Sequence, residues 1–520
     1  MKTVYRLLLA LTLFAASSAS VLAQATGDYR TNGTGGGNWS VATTWQRFNG
    51  TSWVAALAPP TGSEVITIQS TDSVGFNVAA SISDTLINRG RFGGANNLTI
   101  GGTGIFQQDR DAGSLPVATW STGSTLLITG ASATAPSNGN QSFYNVTFNT
   151  PSLAANLNLG WDSITIGGNI TVMNTSSSRW QMTAPAVGDS SLVTIMGDVI
   201  VTGGAFSSNG TSNANTKITI HQYGDIIATG GNISVSRGSQ GSGTGSTRWY
   251  LHDGNFSMSN ATTQNSNAAN AWFIFDKPGT QTLTLGTGNT LTALPIVVAS
   301  GTTLDMGVSK LRGSGRFILN AGATLATASD GGLDSAVNVT GTLTLDAAAN
   351  YTYNGSIAQI TGLTLPTTVN NLVINNPAGV TLSQTTTING VLRLVSGVFN
   401  NTIPFTLGPT GSISYEGGSL LIPVSVDEET TVPLTFFVDQ NYPNPFNPST
   451  TIRFGLPKSS FVSAKVFDLL GREVATIFAG RLTPGVHVLE FDASHLSSGA
   501  YLARIQADGT VNTTRMMLVK

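Results

Sequence analysis

The amino-acid sequence predicts an all-β protein in which a long parallel β-helix precedes a small antiparallel β-sandwich with an immunoglobulin-like strand arrangement. Three observations indicate this fold class: short apolar–polar alternation along most of the 520 residues, 60 glycines, and a recurring glycine-centred motif. Alternation with a period of two places apolar side chains on one strand face, and glycine accepts the positive φ of tight corners. The alternative is a string of β-sandwich domains, which would show clearer hairpin signals.

The first 23 residues have the composition of a secretory signal peptide. Lys2 and Arg6 precede an apolar run, Leu7–Ala16, that is too short to span a bilayer, which takes about 20 residues. Small residues at 21–23 supply a cleavage site, which we place after Ala23. Residues 1–23 are therefore expected to direct export to the periplasm. No other stretch is apolar enough to span a membrane.

Residues 24–425 carry a repeated motif in which two short apolar–polar–apolar runs flank a glycine. Clear copies are Ile164–Val172, Val193–Val201 and Val337–Leu345, and looser copies are 98–106, 218–227 and 386–394. Their spacings fit a period of about 22–27 residues, so roughly 15–18 stacked coils would bury one continuous apolar interior. The sequence has no cysteine, so stability must come from this repetition and not from disulfides.

A cap for the first coil is expected at about residues 28–60, because an unpaired solenoid end is an exposed edge. Trp39 and Trp45 are the large apolar residues available there, and we expect both to pack in the core. The first clean strand follows within Pro59–Ile68. This tryptophan and proline series resembles the start of many bacterial surface β-helix proteins.

The composition changes near residue 426. Residues 426–520 hold 17 charged residues in 95 positions, whereas residues 24–425 hold 31 in 402. The change coincides with the acidic run Asp427–Glu429 and indicates a linker at 426–435. Residues 436–520 then alternate apolar and polar residues in short runs between turn signals, which is typical of a small β-sandwich.

The C-terminal segment opens with a rigid, proline-rich stretch, because proline fixes φ and removes a backbone donor. Its motif residues are Asn441, Tyr442, Pro443, Asn444, Pro445, Phe446, Asn447, Pro448, Gly471, Arg472, Gly499, Tyr501 and Lys520. In this order and spacing they resemble the C-terminal sorting domain of the type IX secretion system, over about residues 436–520. Arg515 departs from the pattern, since many members carry lysine there.

This resemblance implies a cargo that crosses the outer membrane of a Gram-negative bacterium with the type IX secretion machinery as its partner. In that family the domain is usually removed, and the cargo is released or fixed to surface lipopolysaccharide. We therefore expect a secreted or cell-surface protein, with lipopolysaccharide or extracellular glycans as candidate partners. The resemblance says where the protein goes and not what it does.

The sequence lacks the short motifs of several enzyme classes. It contains no His-Glu-x-x-His, no P-loop, no Gly-x-Ser-x-Gly and no cysteine pair. No Asp-x-Asp-x-Asp-Gly calcium loop occurs either, so we predict no metal and no cofactor. The net charge of −2 gives no reason to expect nucleic-acid binding.

Two residue pairs are candidates for catalysis, because polysaccharide lyases and hydrolases do occur on β-helices. Glycoside hydrolysis needs two carboxyl groups about 5–10 Å apart, and Asp109 and Asp111 are close in sequence. His252 and Asp253 form the second pair, a histidine beside a carboxylate. Aspartate in a glycine-rich stretch also caps turns, and this structural role stays open.

Aromatic residues near His252 are candidate glycan contacts. Trp249 and Tyr250 precede the histidine, and Trp272 lies about one coil later. Aromatic rings with a polar edge suit a sugar ring. The same residues also fit a strand with one buried and one exposed aromatic face, which stays the alternative.

Four Asp-Ser/Thr-apolar triplets resemble an O-glycosylation motif of some bacteria that use this secretion route. The acceptor hydroxyls would be those of Ser73, Thr85, Ser163 and Ser335. Three-residue patterns of this kind also arise by chance in a sequence rich in serine and threonine.

Two classes of function remain. Charged residues are 10% of the chain, against about 25% in a typical soluble protein, and no catalytic cluster is evident. We therefore expect a non-catalytic adhesin or structural β-helix at the cell surface or outside the cell. The alternative is a carbohydrate-active β-helix enzyme, a polysaccharide lyase or hydrolase.

Overall fold

A computed structural model describes residues 24–93, 98–210, 213–238, 244–264, 270–286, 290–291, 294–422, 433 and 435–520. The signal peptide expected at 1–23 and the acidic run Asp427–Glu429 lie outside these residues. The chain divides into two compact units, with the division after Ile422. The first unit is a β-solenoid of about 14 turns, and the second is built of small antiparallel sheets. The predicted fold class is therefore confirmed.

The solenoid is organised around one long parallel sheet that receives a strand from each coil. Its strands are Ile66–Ile68, Thr85–Asn88, Ile105–Gln108, Thr125–Ile128, Asn145–Asn149, Ile170–Asn174, Val199–Val201, Ile226–Ala228, Phe256–Met258, Gly279–Leu285, Thr302–Asp305, Thr324–Thr327, Asn350–Tyr353, Leu372–Asn375, Val391–Ser396 and Ser412–Tyr415. Partner residues on successive strands are 20 apart from Leu86 to Phe106 and 30 apart from Ile226 to Phe256. The coils therefore vary more in length than the predicted period allowed.

Shorter parallel sheets form the other faces of the solenoid. An eight-stranded sheet contains Ile164–Ile166, Ser190–Ile195, Lys217–Gln222, Ser246–Leu251, Ala271–Phe275, Pro295–Val298, Arg316–Leu319 and Leu343–Leu345. A six-stranded sheet contains Leu157–Asn158, Trp180–Thr183, Ala205–Asn209, Asn232–Ser236, Thr262–Thr263 and Thr290–Leu291. The remaining solenoid strands are Gly36–Asn38, Ser73–Gly75, Ala80–Ile82, Arg91–Gly93, Leu98–Ile100, Ala118–Trp120, Leu311–Gly313, Val337–Val339, Gln359–Ile360, Thr368–Val369, Val380–Thr381, Thr387–Ile388, Val398–Asn400, Thr406–Leu407 and Ser419–Leu420. The described helices are a 3-10 turn at Ala42–Thr44 and an α-helix at Gly332–Ala336.

The glycine-centred motif marks the corner between the eight-stranded sheet and the long sheet. In Ile164–Val172 and Val193–Val201 the alternate apolar side chains of both runs are buried, although Met196, directly before Gly197, is exposed. The copy at Val337–Leu345 lies elsewhere, because Leu343–Leu345 is itself the strand of the eight-stranded sheet. That copy therefore spans the preceding corner.

A row of asparagine and aspartate side chains, which we call the Asx ladder, links successive coils at this corner. It comprises Asn145, Asn169, Asp198, Asp225 and Asn255. The backbone N–H of Asn169 donates to Asn145 Oδ1 at 2.9 Å, and that of Asp198 donates to Asn169 Oδ1 at 2.8 Å. The same bond recurs at 2.8 Å from Asp225 to Asp198 and from Asn255 to Asp225. Side chains thus satisfy corner amides that have no strand partner.

The N-terminal residues of the solenoid fold over its first coil. Tyr29–Thr31 pairs antiparallel with Trp45–Phe48 and parallel with Ile66–Ile68, and Trp53–Ala55 adds a further antiparallel strand. The rings of Trp39 and Trp45 lie 5.2 Å apart edge to face, and both are buried. These are contacts of core packing.

The second unit packs a three-stranded sheet against a four-stranded sheet. The strands are Phe437–Val438, Ser449–Leu456 and Gly485–Asp492 in one sheet, and Glu473–Leu482, Ser460–Phe467, Gly499–Ala507 and Thr510–Leu518 in the other. Every pairing among them is antiparallel. Alternating residues of Ser449–Leu456 and Ser460–Phe467, such as Phe454 and Val462, belong to its core.

The sorting-motif residues hold this second unit together. Asn441 is buried, and its Nδ2 donates to Thr450 Oγ1 at 2.9 Å. The side chain of Asp468 closes the turn before Arg472 with a 2.7 Å ion pair. Two further motif contacts run from Tyr501 Oη to the Ser497 carbonyl at 2.7 Å and from Lys520 Nζ to the Ser494 carbonyl at 2.6 Å.

Candidate functional site

The outer face of the eight-stranded sheet carries the aromatic residues that the sequence singled out. Because side chains alternate along a strand, Trp249 and Tyr250 lie on opposite faces. Trp249 is fully buried, and its ring packs 5.1 Å from that of Phe273. Tyr250 is half-buried on the outer face. The expected platform of two adjacent aromatic residues is therefore not at the surface.

A chain of three polar side chains, the histidine chain, runs beside Tyr250 across three consecutive coils. His221 Nδ1 lies 2.7 Å from His252 Nε2, and His252 Nδ1 lies 3.1 Å from Asp276 Oδ1. His221 belongs to Lys217–Gln222, whereas the other two residues directly follow the next two strands of the sheet. Stacking of the coils thus joins residues far apart in sequence.

Aromatic rings flank the histidine chain. The Tyr250 ring stacks on His221 with centroids 5.6 Å apart, and the Tyr223 ring lies 4.9 Å from that of His252. Burial lowers the pKa of His221, and the neighbouring imidazole of His252 lowers it further. Burial raises the pKa of Asp276, although His252 acts in the opposite direction.

The spacing of these polar atoms gives the histidine chain a defined chemical capacity. A charged Asp276 favours a proton on His252 Nδ1, which leaves His252 Nε2 to accept from His221 Nδ1–H. His221 Nε2 is then an unprotonated nitrogen and could act as a base. A carboxylate that orients an imidazole is the usual support for this role.

Asp253, the predicted partner of His252, is exposed and is not part of the histidine chain. Its backbone carbonyl accepts from Lys277 Nζ at 3.5 Å. The sequence analysis missed His221 and Asp276, which lie one coil before and one coil after His252. Coil lengths of 29 residues before His252 and 24 residues after it were the signal that could have found them.

The pair Asp109 and Asp111 makes structural contacts. Asp109 forms a 2.7 Å ion pair with Arg89 and accepts from the Thr129 hydroxyl at 2.8 Å. Asp111 Oδ1 accepts three backbone N–H groups, at 2.7, 2.9 and 3.0 Å, from residues 132–134. Burial acts to raise the pKa of Asp111, but these bonds lower it to about 2. Both carboxylates therefore tie coils together.

Two arginines approach Trp272 on the same outer face. The Arg316 guanidinium lies 4.1 Å from the centroid of the Trp272 ring, and its Nη2 donates to the Ala271 carbonyl at 2.9 Å. Arg248 Nη1 donates to the neighbouring Asn270 carbonyl. Burial lowers the pKa of both arginines, and the charge of Arg248 lowers that of Arg316 further. Trp272 is 8% exposed beneath them.

The long sheet has a separate polar depression of about 440 Å³ on its outer face. Threonine and asparagine side chains line most of it, together with Asp305 and Arg393. The residues that the structure describes contain no group of three or more histidine, aspartate or glutamate side chains placed to hold a metal ion. No described helix is long and apolar enough to cross a membrane.

The four candidate glycosylation sites differ in exposure. Ser73 and Ser163 are exposed, and Ser335 is half-buried within the helix Gly332–Ala336. Thr85 is 7% exposed. The first two hydroxyls are therefore accessible to a modifying enzyme, whereas Thr85 is not.

Comparison with known families identifies the second unit. Residues 440–520 match the family model of the secretion system C-terminal sorting domain. This domain indicates export by the type IX secretion system, to the cell surface or the medium, in an interaction with that machinery. Searches of curated proteins and of solved structures found no match.

Proposed function

We propose that the exported solenoid is a non-catalytic adhesin or structural β-helix that binds glycans of the cell surface or the extracellular matrix. The observation that best supports this proposal is a patch of aromatic and basic side chains on the outer face of the eight-stranded sheet. This aromatic–basic face comprises His221, Arg248, Tyr250, Trp272 and Arg316. Rings that can lie against sugar faces, beside hydrogen-bond donors, suit glycan recognition.

The engagement of the candidate carboxylates supports a non-catalytic role. Asp109 is ion-paired, and Asp111 accepts backbone amides with a strongly lowered pKa. A glycosidase acid must hold a proton near neutral pH, which requires a raised pKa. Attachment of the mature protein to lipopolysaccharide is part of the same proposal, because it rests on the sorting-domain family.

Binding by the full mature chain tests the proposal. We expect retention on at least one immobilised polysaccharide, and about tenfold weaker retention for Tyr250→Ala, because the substitution removes the half-buried ring on the outer face. Tyr415→Ala is the matched control, since Tyr415 is 45% exposed on the long sheet. Absence of retention across acidic and neutral polysaccharides would contradict glycan binding and leave a structural spacer.

The histidine chain favours a second candidate, a polysaccharide lyase or hydrolase. His221 Nε2 would act as the base, oriented through His252 by Asp276. If the same incubations produced new reducing ends or unsaturated uronate absorbance, the protein would be an enzyme and the non-catalytic proposal would be wrong. In that case Asp276→Asn should abolish turnover, whereas Asp253→Asn tests the exposed neighbour and should leave turnover unchanged.

A further inference from the structure

A small depression of about 270 Å³ lies just beyond the ends of two consecutive strands of the long sheet, Thr85–Asn88 and Ile105–Gln108. Its lining includes Arg91 from one coil and Arg110 from the next. We call this depression the two-arginine pocket. The stacking of the coils thus places two positively charged side chains around one cavity.

Backbone carbonyls hold the Arg110 side chain at this pocket. Its Nη1 donates to the Gly90 carbonyl, and its Nε donates to the Asp111 carbonyl at 3.4 Å. Gly113 leaves room for the guanidinium, since a Cβ there would lie 3.1 Å from Arg110 Nε. A guanidinium carries five N–H groups, so these two bonds leave further donors for a ligand.

The two positive charges of the pocket are not neutralised by the protein. Within the described part of the chain, neither Arg91 nor Arg110 forms an ion pair with a carboxylate. The acidic side chains near them have other partners: Asp72 and Asp111 accept backbone amides, and Asp109 pairs with a different arginine. A cleft lined by charges of one sign concentrates ligands of the opposite sign.

Arginines elsewhere on the solenoid show the contrasting arrangement. Arg89 pairs with Asp109 at 2.7 Å, and Arg393 pairs with Glu416 through two bonds of 2.9 and 2.8 Å. Carboxylates therefore accompany these surface arginines, whereas the two arginines of the pocket are left to attract an anion from solution.

We infer that the two-arginine pocket binds the carboxylate or phosphate group of one small acidic sugar. A planar guanidinium binds such a group through two parallel hydrogen bonds. Small-molecule pockets typically enclose about 300–1,000 Å³, so a volume of about 270 Å³ suits a single sugar unit and not a chain. The pocket shares no residue with the aromatic–basic face, so this inference does not rest on the proposed function.

An unpaired acceptor in the lining favours a ligand that carries hydroxyl groups. Gln108 Nε2 donates to the Ala112 carbonyl at 3.0 Å, and Gln108 Oε1 accepts from Asn88 Nδ2 at 2.8 Å. Since a carbonyl can only accept, this sequence of bonds fixes both amides and leaves Asn88 Oδ1 buried without a partner among the described residues. A small shift of Asn88 toward the pocket would let a ligand hydroxyl supply the missing donor.

Calorimetric titration of the full mature chain tests the inference at fixed ionic strength. The probes are glucuronate, glucose 6-phosphate and neutral glucose, which share one ring. We expect one or both charged sugars to bind at least tenfold more tightly than glucose, with affinity that falls as the salt concentration rises. Comparison of the two acids distinguishes a carboxylate ligand from a phosphate ligand.

Substitutions then locate the site. Arg91→Gln and Arg110→Gln should each weaken the binding of the charged sugar about tenfold, because each removes a charge-assisted contact. Arg312→Gln is the control, since Arg312 is exposed on another sheet and its loss changes the net charge equally. It should change the affinity less than twofold.

The fold of each variant is checked by tryptophan fluorescence. Arg110→Gln also removes bonds to two backbone carbonyls and is the variant at risk of unfolding. The Arg91 side chain is exposed and makes no such bond in the described structure, so Arg91→Gln keeps the test valid.

Each outcome has a distinct meaning. Equal affinity for glucose and the two acids would overturn the anion site, as would equal weakening by Arg91→Gln and Arg312→Gln. Absence of binding to all three sugars would also overturn it, without bearing on the retention of the protein by polysaccharides. Tyr250→Ala should leave the binding of the charged sugar unchanged, because Tyr250 belongs to the aromatic–basic face.

Discussion

The solenoid and the sandwich use the same apolar–polar alternation but satisfy their polar groups differently. In the solenoid, side chains such as Asn169 accept backbone amides of the next coil at the corner before the long sheet. In the sandwich, antiparallel strands satisfy their own backbones, and charged pairs such as Lys465 with Glu473 lie on the surface. The contrast explains the low charge of the solenoid, since its polar side chains serve the stacking of coils.

The two units also differ in a way that makes the comparison measurable. All eight tryptophans lie between residues 39 and 272, so the sandwich contains none. Tryptophan fluorescence therefore reports unfolding of the solenoid alone, whereas circular dichroism reports both units. The four predictions below use this difference.

The largest effect is expected from truncating a core ring in each unit. Phe148 in the solenoid and Phe454 in the sandwich are both fully buried, and replacement by alanine costs about 3–5 kcal/mol. Phe148→Ala should lower the midpoint of the fluorescence transition in urea. Phe454→Ala should lower only a transition seen by circular dichroism. A fluorescence shift with Phe454→Ala would show that the two units unfold as one.

A smaller effect is expected at a corner glycine of the solenoid. A Cβ at Gly197 would overlap Asn169 Oδ1 and the backbone of Gly168. We expect Gly197→Ala to cost about 2 kcal/mol or more in the fluorescence-detected unfolding free energy. Gly93→Ala is the control, because a Cβ there meets no atom within 4 Å. A similar cost for both would exclude steric conflict as the cause.

The next prediction compares an Asx-ladder residue with a surface ion pair. Asn169→Ala leaves the Asp198 amide without its acceptor and should cost about 1–2 kcal/mol. Glu473→Ala removes an exposed ion pair in the sandwich and should cost less than Asn169→Ala, because solvent screens the attraction. Urea unfolding at low and high salt separates them. The cost of Glu473→Ala should vanish at 1 M salt, because the Debye length is then about 3 Å. The cost of Asn169→Ala should persist.

The smallest effect is a pH dependence of the solenoid alone. The pKa of His221 is lower in the folded protein than its ordinary value of 6.5, so the unfolded chain binds the proton more readily. Solenoid stability should therefore fall as pH decreases below 6.5, toward the lowered pKa. His221→Gln should flatten the fluorescence-detected midpoint between pH 7 and about 5.

Two controls sharpen this pH test. His487→Gln, in the sandwich, should leave the fluorescence profile unchanged. Asp276 has a raised pKa, so its contribution to the pH dependence of stability has the opposite sign and applies at pH values above its ordinary pKa of 3.8. A flat profile for the unsubstituted protein between pH 7 and 5 would contradict the assigned shift of His221.

The sequence predicted the fold class and most corners because both depend on local alternation and glycine placement. Contacts between coils were harder to predict from the sequence, since coil lengths vary from 20 residues near Phe106 to 30 near Phe256. The position of the residue stacked above a given residue therefore cannot be counted along the chain. For this reason Asp253, the neighbour in sequence, was chosen as the partner of His252 in place of Asp276.

The same limitation applies to the aromatic and basic residues. Alternation alone implies that Trp249 and Tyr250 lie on opposite faces, but it does not say which is buried. The meeting of Arg248 and Arg316 above Trp272 requires the register of four consecutive strands, which pattern alone does not define.

The Asx ladder also bears on how the chain acquires its structure. Each coil of the ladder presents one acceptor, such as Asp225 Oδ1, at the position that the amide of the following coil will occupy. A completed coil is thus a template for its successor, and growth by addition at an end needs only contacts between immediate neighbours. A register error in one coil would pass to the coils added after it. The corner hydrogen bond forms only in the correct register, so its repetition along the stack disfavours such errors.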